Sequence, residues 1–241
     1  MTNEPRGVAV VSGGGSGIGR EIALTLARRG HPLALLGRRK ALLEQTLSEA
    51  ADERKDIEGL SLPCDVRDAD SVAAAAREIE RRWGAAALVV PAAGLAAIAP
   101  LDETSPERFR DVLDTNLTGT FLLLHALLPA MKRRGHGWIF PILSTAAQRG
   151  FPGWSAYCAS KWGLAGLVAA LREELRGSGL RVTALYPGAT DSPLWDDLPG
   201  TWNRALMVPP REVARAVVNA LEADPSTLIE EIHLGPVGGA L

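Results

Sequence analysis

Tyr157 and Lys161 are the side chains whose types and spacing most directly suggest chemistry. They lie four residues apart at the start of a helix-like stretch, and residues i and i+4 share one face of a helix, so phenol and ammonium can reach the same space. The chain has two tyrosines and four lysines, which makes this pairing uncommon. A solitary pair of this kind usually marks a solvated helix face, so its meaning depends on what other segments bring to it.

A glycine-rich turn over 12–19 follows the first apolar run of the chain. Glycines there let the backbone approach a pyrophosphate, and the next helix offers free N–H groups and the positive end of its dipole. The spacing GxGxxG is not met, because the position three after Gly15 is Ile18; the pattern is instead Gly-x-x-x-Gly-x-Gly from Gly13. Its place after a strand favours dinucleotide binding over a plain loop.

Two arginines after the second strand indicate which nicotinamide cofactor binds. An acid about twenty residues beyond the glycines would hold the ribose 2′-hydroxyl of NAD(H), but that position is Gly37. Arg38 and Arg39 follow, and guanidinium groups can hold a 2′-phosphate. We predict NADP(H) in preference to NAD(H), mainly through Arg38, unless these are solvated charges at a helix start. Asp65 follows the third strand. It either accepts a hydrogen bond from the adenine amine or is an ordinary residue at the start of the next helix.

Strands and helices alternate along the chain, and this alternation must position these groups. Short apolar runs predict strands over 8–11, 33–36, 60–62, 87–90, 138–143, 181–186 and 227–234. Amphipathic stretches predict helices over 16–29, 40–53, 70–83, 106–131, 155–176 and 210–222. The pattern is typical of an α/β fold made of βαβ units, with a parallel sheet covered by helices on both faces. Residues 1–241 are predicted to form a single dinucleotide-binding catalytic domain, with 190–209 as a substrate lid.

Composition argues against several other classes of protein. Apolar residues make up 46%, charged residues 22%, and the net charge is −2, so neither nucleic acid nor an anionic membrane is an expected partner. Cys64 and Cys158 lack metal-ligand spacing, so we expect no metal site. Two cysteines do not form a disulfide framework, so we expect a cytoplasmic location. Residues 1–6 show no leader pattern, and no apolar run is long enough to span a bilayer.

Several residues that recur in a fixed order along the chain carry a resemblance to a known protein family. They are Gly13, Gly17, Gly19, Asp65-Val66, Ala93-Gly94, Asn116, Ser144, Tyr157, Lys161 and Pro187-Gly188. In this order, with Ser144 thirteen residues before Tyr157, they resemble the short-chain dehydrogenase/reductase (SDR) family, NADP-preferring type, over nearly the whole length. The resemblance implies an α/β, Rossmann-like, doubly wound fold with a seven-stranded parallel sheet flanked by helices on both faces. The resemblance and the motifs above assign as cofactor contacts Ser12, Gly13, Gly15, Ser16, Gly17, Ile18, Gly19, Arg38, Arg39, Asp65, Val66, Ala93, Gly94, Tyr157, Lys161, Pro187, Gly188, Thr190 and Ser192.

The resemblance also implies a catalytic set, Asn116, Ser144, Tyr157 and Lys161. Tyr157 would protonate the alkoxide left by hydride transfer to a ketone, or act as base in reverse. A phenol pKa of about 10 must fall by roughly three units, which an ammonium about 4 Å away can supply at an effective dielectric constant near 20. Lys161 would supply that charge and hold the nicotinamide ribose, Ser144 would orient the substrate oxygen, and Asn116 would hold a water between Lys161 and solvent. Taken singly, Asn116 could be a polar helix residue and Ser144 a strand-end cap.

The chain departs from the family pattern after the fourth strand. Pro91-Ala92-Ala93-Gly94 stands where Asn-Asn-Ala-Gly is usual, which questions the bracing that the two amides supply between neighbouring strands. Ser12 stands for the usual threonine and keeps a hydroxyl.

The substrate pocket is predicted to be lined by Leu95, Ala96, Thr145, Ala146, Trp154, Trp195, Trp202 and Met207. The lid tryptophans could equally pack against the body of the protein. An apolar pocket favours a neutral or weakly polar carbonyl or alcohol, although Arg149 and Arg204 could still meet an anionic group. The helices over 106–131 and 155–176 carry excess apolar surface, which predicts a homodimer or homotetramer unless it is buried within the monomer.

The leading interpretation is an NADP(H)-dependent oxidoreductase that interconverts a ketone or aldehyde and an alcohol. A 3-oxoacyl-thioester reductase is the alternative within enzymes, and a non-catalytic dinucleotide-sensing protein is the alternative from another class. Loss of Tyr157 or Lys161 would mark the sensor, and both are present.

Overall fold

Strands and helices alternate in the computed structural model, which describes residues 7–224 and 226–239. The expectation that residues 1–6 carry no leader falls outside the described residues. The strands are β1 Ala9–Ser12, β2 Leu33–Gly37, β3 Gly59–Pro63, β4 Leu88–Pro91, β5 Gly137–Ile139, β6 Leu180–Val182, β7 Ala184–Pro187 and β8 Glu231–Leu234. The helices are α1 Gly17–Arg28, α2 Lys40–Glu53, α3 Ala69–Trp83, α4 Pro106–Leu113, α5 Gly119–Arg134, α6 Ser155–Glu174 and α7 Pro210–Leu221. Over these ranges, no helix has the length and apolar character needed to cross a membrane.

The strands run parallel in the order β3-β2-β1-β4-β5-β6, and β7 pairs with β8 in a second, two-stranded sheet. The predicted strand over 181–186 is divided at Thr183, where the chain changes its main-chain partner. Thr183 N donates to Ile139 O at 3.0 Å, whereas Ala184 N donates to Glu230 O at 2.9 Å. The α/β architecture is confirmed, with β6 and β7 together taking the place of one of the seven predicted strands.

Each face of the sheet is covered by helices because successive side chains of the buried strands point to opposite sides. In β1, Val10 packs in the core under α3, α5 and α6, whereas Ala9 and Val11 pack in the core under α1, α2 and α7. Burial on both sides explains the continuous apolar runs that predicted these strands.

The predicted helix over 106–131 is interrupted. Ser105 caps its start as expected, since Ser105 Oγ accepts from Arg108 N at 3.1 Å. A π-helical turn, Asp114–Thr118, then separates α4 from α5. A Cβ at Gly119 would lie 2.7 Å from Val66 Cγ2, so glycine lets this helix approach the strand-end residue Val66 closely. Such a turn adds a residue to the local helix repeat and re-aims the side chains within it.

Candidate active site

The glycine turn after β1 is shaped for close approach by a ligand. Gly13 and Gly17 have φ of 69° and 55°, values that side chains other than hydrogen rarely allow. A Cβ at Gly19 would lie 2.5 Å from Gly13 O. The N-terminal turn of α1 has no acidic residue, and Ser16 makes no side-chain cap to it. Exposed N–H groups and an uncompensated dipole fit the pyrophosphate of a dinucleotide.

Ser12 provides the bracing that the sequence departures placed in question. Its Oγ accepts from both Ala92 N and Ala93 N at 3.2 Å. A hydroxyl on β1 thereby ties the end of that strand to the end of β4 without the two amides. Ser12 is buried behind the turn and does not itself line the cleft.

Charged side chains cluster at the end of the cleft near β2 and β3. Arg38 and Arg39 are exposed on its wall, and Arg39 Nη2 donates to Ser16 Oγ at 3.4 Å. Arg67 was not identified from the sequence; its Nη2 donates to Asp65 Oδ2 at 2.7 Å and its Nη1 to Asp111 Oδ1 at 3.2 Å. Hydrogen bonding to Arg67 holds the pKa of the Asp65 carboxyl below its usual value. Asp65 thus faces the cleft as an ionised, fixed acceptor.

Tyr157 and Lys161 lie one turn apart in α6 and both reach the cleft. Lys161 Nζ donates to Ile142 O at 2.8 Å and lies 5.6 Å from the centroid of the Tyr157 ring. The Ser144 side chain hydrogen-bonds the Tyr157 phenol, and Ser144 Oγ also accepts from Ala146 N at 3.1 Å. The structure therefore brings together three of the four predicted catalytic side chains.

Desolvation dominates the proton affinities of this pair. Burial raises the pKa of Tyr157 to about 12, although the hydrogen bond from Ser144 opposes the rise. Burial also lowers the pKa of Lys161 to about 8. The prediction that Lys161 would lower the phenol pKa is wrong for the protein alone. Burial removes water from the phenol, and the free energy of desolvating its charged form raises the pKa.

Asn116 lies in the π-helical turn behind the cleft, with 1% of its surface exposed. Its Nδ2 donates to Leu95 O and to Ser160 Oγ, and its Oδ1 accepts from Leu95 N, each at 2.9 Å. Ser160 Oγ in turn donates to Tyr157 O at 2.7 Å. Both amide hydrogens are therefore used in joining the chain after β4 to α6. Ser160 was missed by sequence reasoning, and its place three residues after Tyr157 is the signal that could have suggested it.

A row of aromatic rings extends from Tyr157 into the lid. Trp154 packs edge-on against Tyr157 at 5.5 Å and against Trp195 at 5.8 Å, and Trp195 packs against Trp202 at 4.8 Å. Trp195 Nε1 also donates to Thr190 O at 2.9 Å. The lid tryptophans thus pack against one another and line the cleft as well.

The two arginines that the sequence left unplaced differ in their surroundings. Arg204 is used within the lid: Nε donates to Asp191 Oδ1 at 2.5 Å, Nη1 to Asp196 Oδ1 at 2.7 Å and Nη2 to Ser192 O at 2.9 Å. Arg149 lies on the cleft wall with its guanidinium 5.0 Å from the centroid of the Phe151 ring.

The glycine turn, Arg38, Arg39, Ser144, Tyr157 and Lys161 border one cleft of about 1150 Å³ at the carboxyl edge of the sheet. Every predicted cofactor contact except Ser12 lines it, as does every predicted substrate contact except Met207. Met207 is buried, with 5% of its surface exposed. Residues that line the cleft and were not predicted to do so include Arg67, Arg108, Asp111, Thr115, Gly235 and Pro236.

Known proteins are similar to this chain in sequence and in fold. The sequence matches the short chain dehydrogenase family over residues 7–201. It is 36% identical over 239 residues to sepiapterin reductase of Chlorobaculum tepidum, covering 96% of this chain and 97% of the relative. An alcohol dehydrogenase from the archaeon Thermococcus sibiricus, complexed with 5-hydroxy-NADP, superposes with a TM-score of 0.88 at 32% identity over 96% of this chain and 97% of that one. A variant of actinorhodin polyketide ketoreductase with NADPH superposes with a TM-score of 0.85 at 30% identity, and the match covers 97% of each chain.

Proposed function

Because the chain belongs to the short-chain dehydrogenase/reductase family and is an oxidoreductase acting on CH–OH or C=O groups, we propose that it interconverts a ketone or aldehyde and an alcohol with NADP(H), using Tyr157 as general acid and base. The observation that carries this proposal is the Tyr157 phenol itself, hydrogen-bonded to Ser144 on the wall of the cleft that also holds the glycine turn. When bound, the nicotinamide supplies or accepts the hydride.

In the proposed reaction Tyr157 donates its proton to the oxygen of the carbonyl group as charge develops there. Ser144 is placed to hydrogen-bond the same oxygen. Burial makes a charged tyrosinate costly in this site, so a nearby positive charge is needed whenever the phenol has given up its proton. Lys161, buried on the same helix face, is the side chain that can provide it. For Asn116 we propose a positioning role toward Leu95 and α6, in place of the water-holding role expected from the family.

The preference for NADP(H) over NAD(H) is supported by Arg38 and Arg39 at the rim of the cleft and by structural neighbours that carry NADP-type ligands. Arg38→Asp should shift the ratio of kcat/KM for NADPH to that for NADH toward NADH by about tenfold or more, because a charge-assisted bond is replaced by repulsion. Arg77→Asp on α3, an exposed arginine away from the cleft, is the control. An unchanged ratio in Arg38→Asp would refute the phosphate assignment.

A 3-oxoacyl thioester is a second candidate substrate. Similarity to a polyketide ketoreductase supports it. Parallel assays with a small ketone and with a 3-oxobutanoyl thioester would separate the two substrates.

We also propose that residues 1–241 act as a single catalytic domain within a homodimer or homotetramer. Phe121 on α5 and Trp162 on α6 support the assembly, since they leave 48% and 54% of their surfaces exposed. Mass determination by light scattering tests it. A cytoplasmic location stays a prediction from composition.

The central experiment follows NADPH oxidation with a panel of ketones and aldehydes. Turnover should occur with some of them and fall by about two orders of magnitude or more in Tyr157→Phe, which keeps the ring and removes the proton donor. Cofactor binding, measured by fluorescence titration, should survive in that variant. Binding without turnover on any panel member in the unmodified protein would instead support a dinucleotide sensor.

A further inference from the structure

The arginines of this protein fall into two groups according to their partners. Most of those in the described ranges, 7–224 and 226–239, form ion pairs with aspartate or glutamate, as Arg28 does with Glu53 and Arg176 with Glu173. Arginines for which the described residues supply no carboxylate at ion-pair distance include Arg38, Arg39, Arg77, Arg108, Arg134 and Arg149. Four of these six, Arg38, Arg39, Arg108 and Arg149, line the cleft.

Most of the carboxylates of the cleft already have an arginine partner. Asp65 and Asp111 both pair with Arg67, and Asp196 pairs with Arg204; Asp197 is the other acidic residue on the cleft wall among the described residues. The protein as a whole carries a net charge of −2, so an excess of unpaired positive charge in its main cleft runs against its overall composition. A low-dielectric cleft lined by one sign of charge attracts ligands of the opposite sign.

Arg38 and Arg39 lie at the end of the cleft assigned to the cofactor, which leaves two arginines at the other end. Arg149 follows the 3₁₀ turn Thr145–Ala147 that begins at Ser144, and its carbonyl oxygen lies 3.9 Å from Cys158 Sγ, next to Tyr157 in the sequence. The Arg149 guanidinium carbon lies over the Phe151 ring, 5.0 Å from its centroid, and this cation–π contact leaves the N–H groups free to donate.

Arg108 reaches the same end from another element. It lies in the first turn of α4, and its Nη2 donates to Ala96 O at 3.2 Å, in the wall that follows β4. An exposed guanidinium has five N–H donors, so this single bond leaves most of them available.

We propose that Arg149, assisted by Arg108, forms a subsite for an anionic oxyacid group on the substrate, such as a carboxylate. The inference rests on the proposed carbonyl reduction and narrows its substrate class to ketones and aldehydes that carry a negative charge beyond the reacting carbonyl. Arg204, whose donors are used inside the lid, takes no part in it.

Matched pairs of substrates test this directly. Levulinate and methyl levulinate share a skeleton and differ in charge, as do benzoylformate and ethyl benzoylformate. In low salt, kcat/KM should favour at least one acid over its ester, and Arg149→Met should reduce the value for that acid by about tenfold, the effect of a hydrogen bond between charged groups. The value for the ester should change less than about twofold, and the preference should weaken as salt is added. Arg77→Met is the matched control and should leave both values unchanged.

Binding of benzoate provides a readout that does not need turnover. Quenching of the tryptophan fluorescence should report benzoate binding that weakens about tenfold in Arg149→Met and less in Arg108→Met. If the unmodified protein reduces the esters without favouring either acid, and benzoate binds Arg149→Met as it binds the parent, the subsite is wrong while the proposed function stands. If benzoate binding depends on Arg149 but no carbonyl compound is reduced, the subsite stands and the proposed function fails.

Discussion

The carboxyl edge of the sheet and the lid over 190–209 border the same cleft but are held by different kinds of contact. At the sheet edge, main-chain groups hold the functional side chains: Ser12 binds two backbone N–H groups, and Lys161 binds the Ile142 carbonyl. The lid is tied to itself at its base, where Asp191 N donates to Val208 O at 2.9 Å. Above that base, the ion pairs of Arg204 and the packing of Trp195 against Trp202 hold it.

This difference suggests a division of tasks. Buried bonds to the backbone fix position within tenths of an ångström and are costly to break, which suits groups that must meet a reacting atom. Exposed ion pairs and ring stacking contribute less and are screened by salt, which suits a wall that adapts to substrates. Four substitutions or conditions should separate the two regions, with effects that decrease in the following order.

Lys161→Met should give the largest effect. It removes the buried positive charge beside Tyr157 and leaves the Ile142 carbonyl without its partner, so kcat should fall by about a hundredfold or more. Steady-state kinetics of the variant and of Lys132→Met on α5 make the comparison. A fall of less than about fivefold in Lys161→Met would show that the ammonium is not needed by the phenol.

Asn116→Leu tests the buried connection between the chain after β4 and α6. It would leave Leu95 N, Leu95 O and Ser160 Oγ without their partner, so the free energy of unfolding should fall by about 2–3 kcal/mol. Urea unfolding measures the change. Ser160→Ala, which removes one member of the network, should cost less; equal or greater loss in that variant would contradict the central place of Asn116.

Arg204→Met tests the lid. Loss of its bonds to Asp191, Asp196 and Ser192 O should raise KM for the carbonyl substrate by about tenfold, because the lid must then be ordered by the substrate itself. The free energy of unfolding should change by less than about 1 kcal/mol, as is usual for exposed pairs. The control is Arg215→Met on α7, an exposed arginine paired with Glu212. A stability loss as large as that of Asn116→Leu would show that the lid is part of the core structure.

The pH dependence of stability should show the smallest effect and belongs to the sheet edge. Burial lowers the pKa of Lys161 to about 8 from its usual value of 10.5, so between these values the unfolded chain holds a proton that the folded chain has lost. The free energy of unfolding should therefore rise with pH in that window, by about 1 kcal/mol between pH 8 and pH 9.

Cys64 works in the opposite direction, since burial raises the pKa of its thiol. The difference between the parent and Lys161→Met, each unfolded in urea at both pH values, isolates the lysine. A rise of equal size in the variant would assign the effect to other groups.

Sequence patterns predicted the strands, the glycine turn and the Tyr157–Lys161 spacing because each depends on neighbours within a few residues. The π-helical turn around Asn116 and the division of the strand at Thr183 depend on contacts with distant segments, which periodicity does not register. The same limit applies to Arg67 and Arg204, whose roles are set by carboxylates that only the folded chain brings within reach. The phenol pKa of Tyr157 is raised, contrary to the prediction, because desolvation depends on the assembled site.

The π-helical turn also determines what the deletion of one residue from this segment would do. A turn of this kind corresponds to one residue inserted into an α-helix, and each residue of an α-helix advances about 100°. Deleting a single residue within 114–118 would leave an unbroken α-helix from α4 to α5, and would rotate the face of α4 relative to α5 by that angle. The inward amide of Asn116 would then turn away from Leu95 and Ser160. The number of residues in this segment therefore matters to the proposed site as much as their identity does.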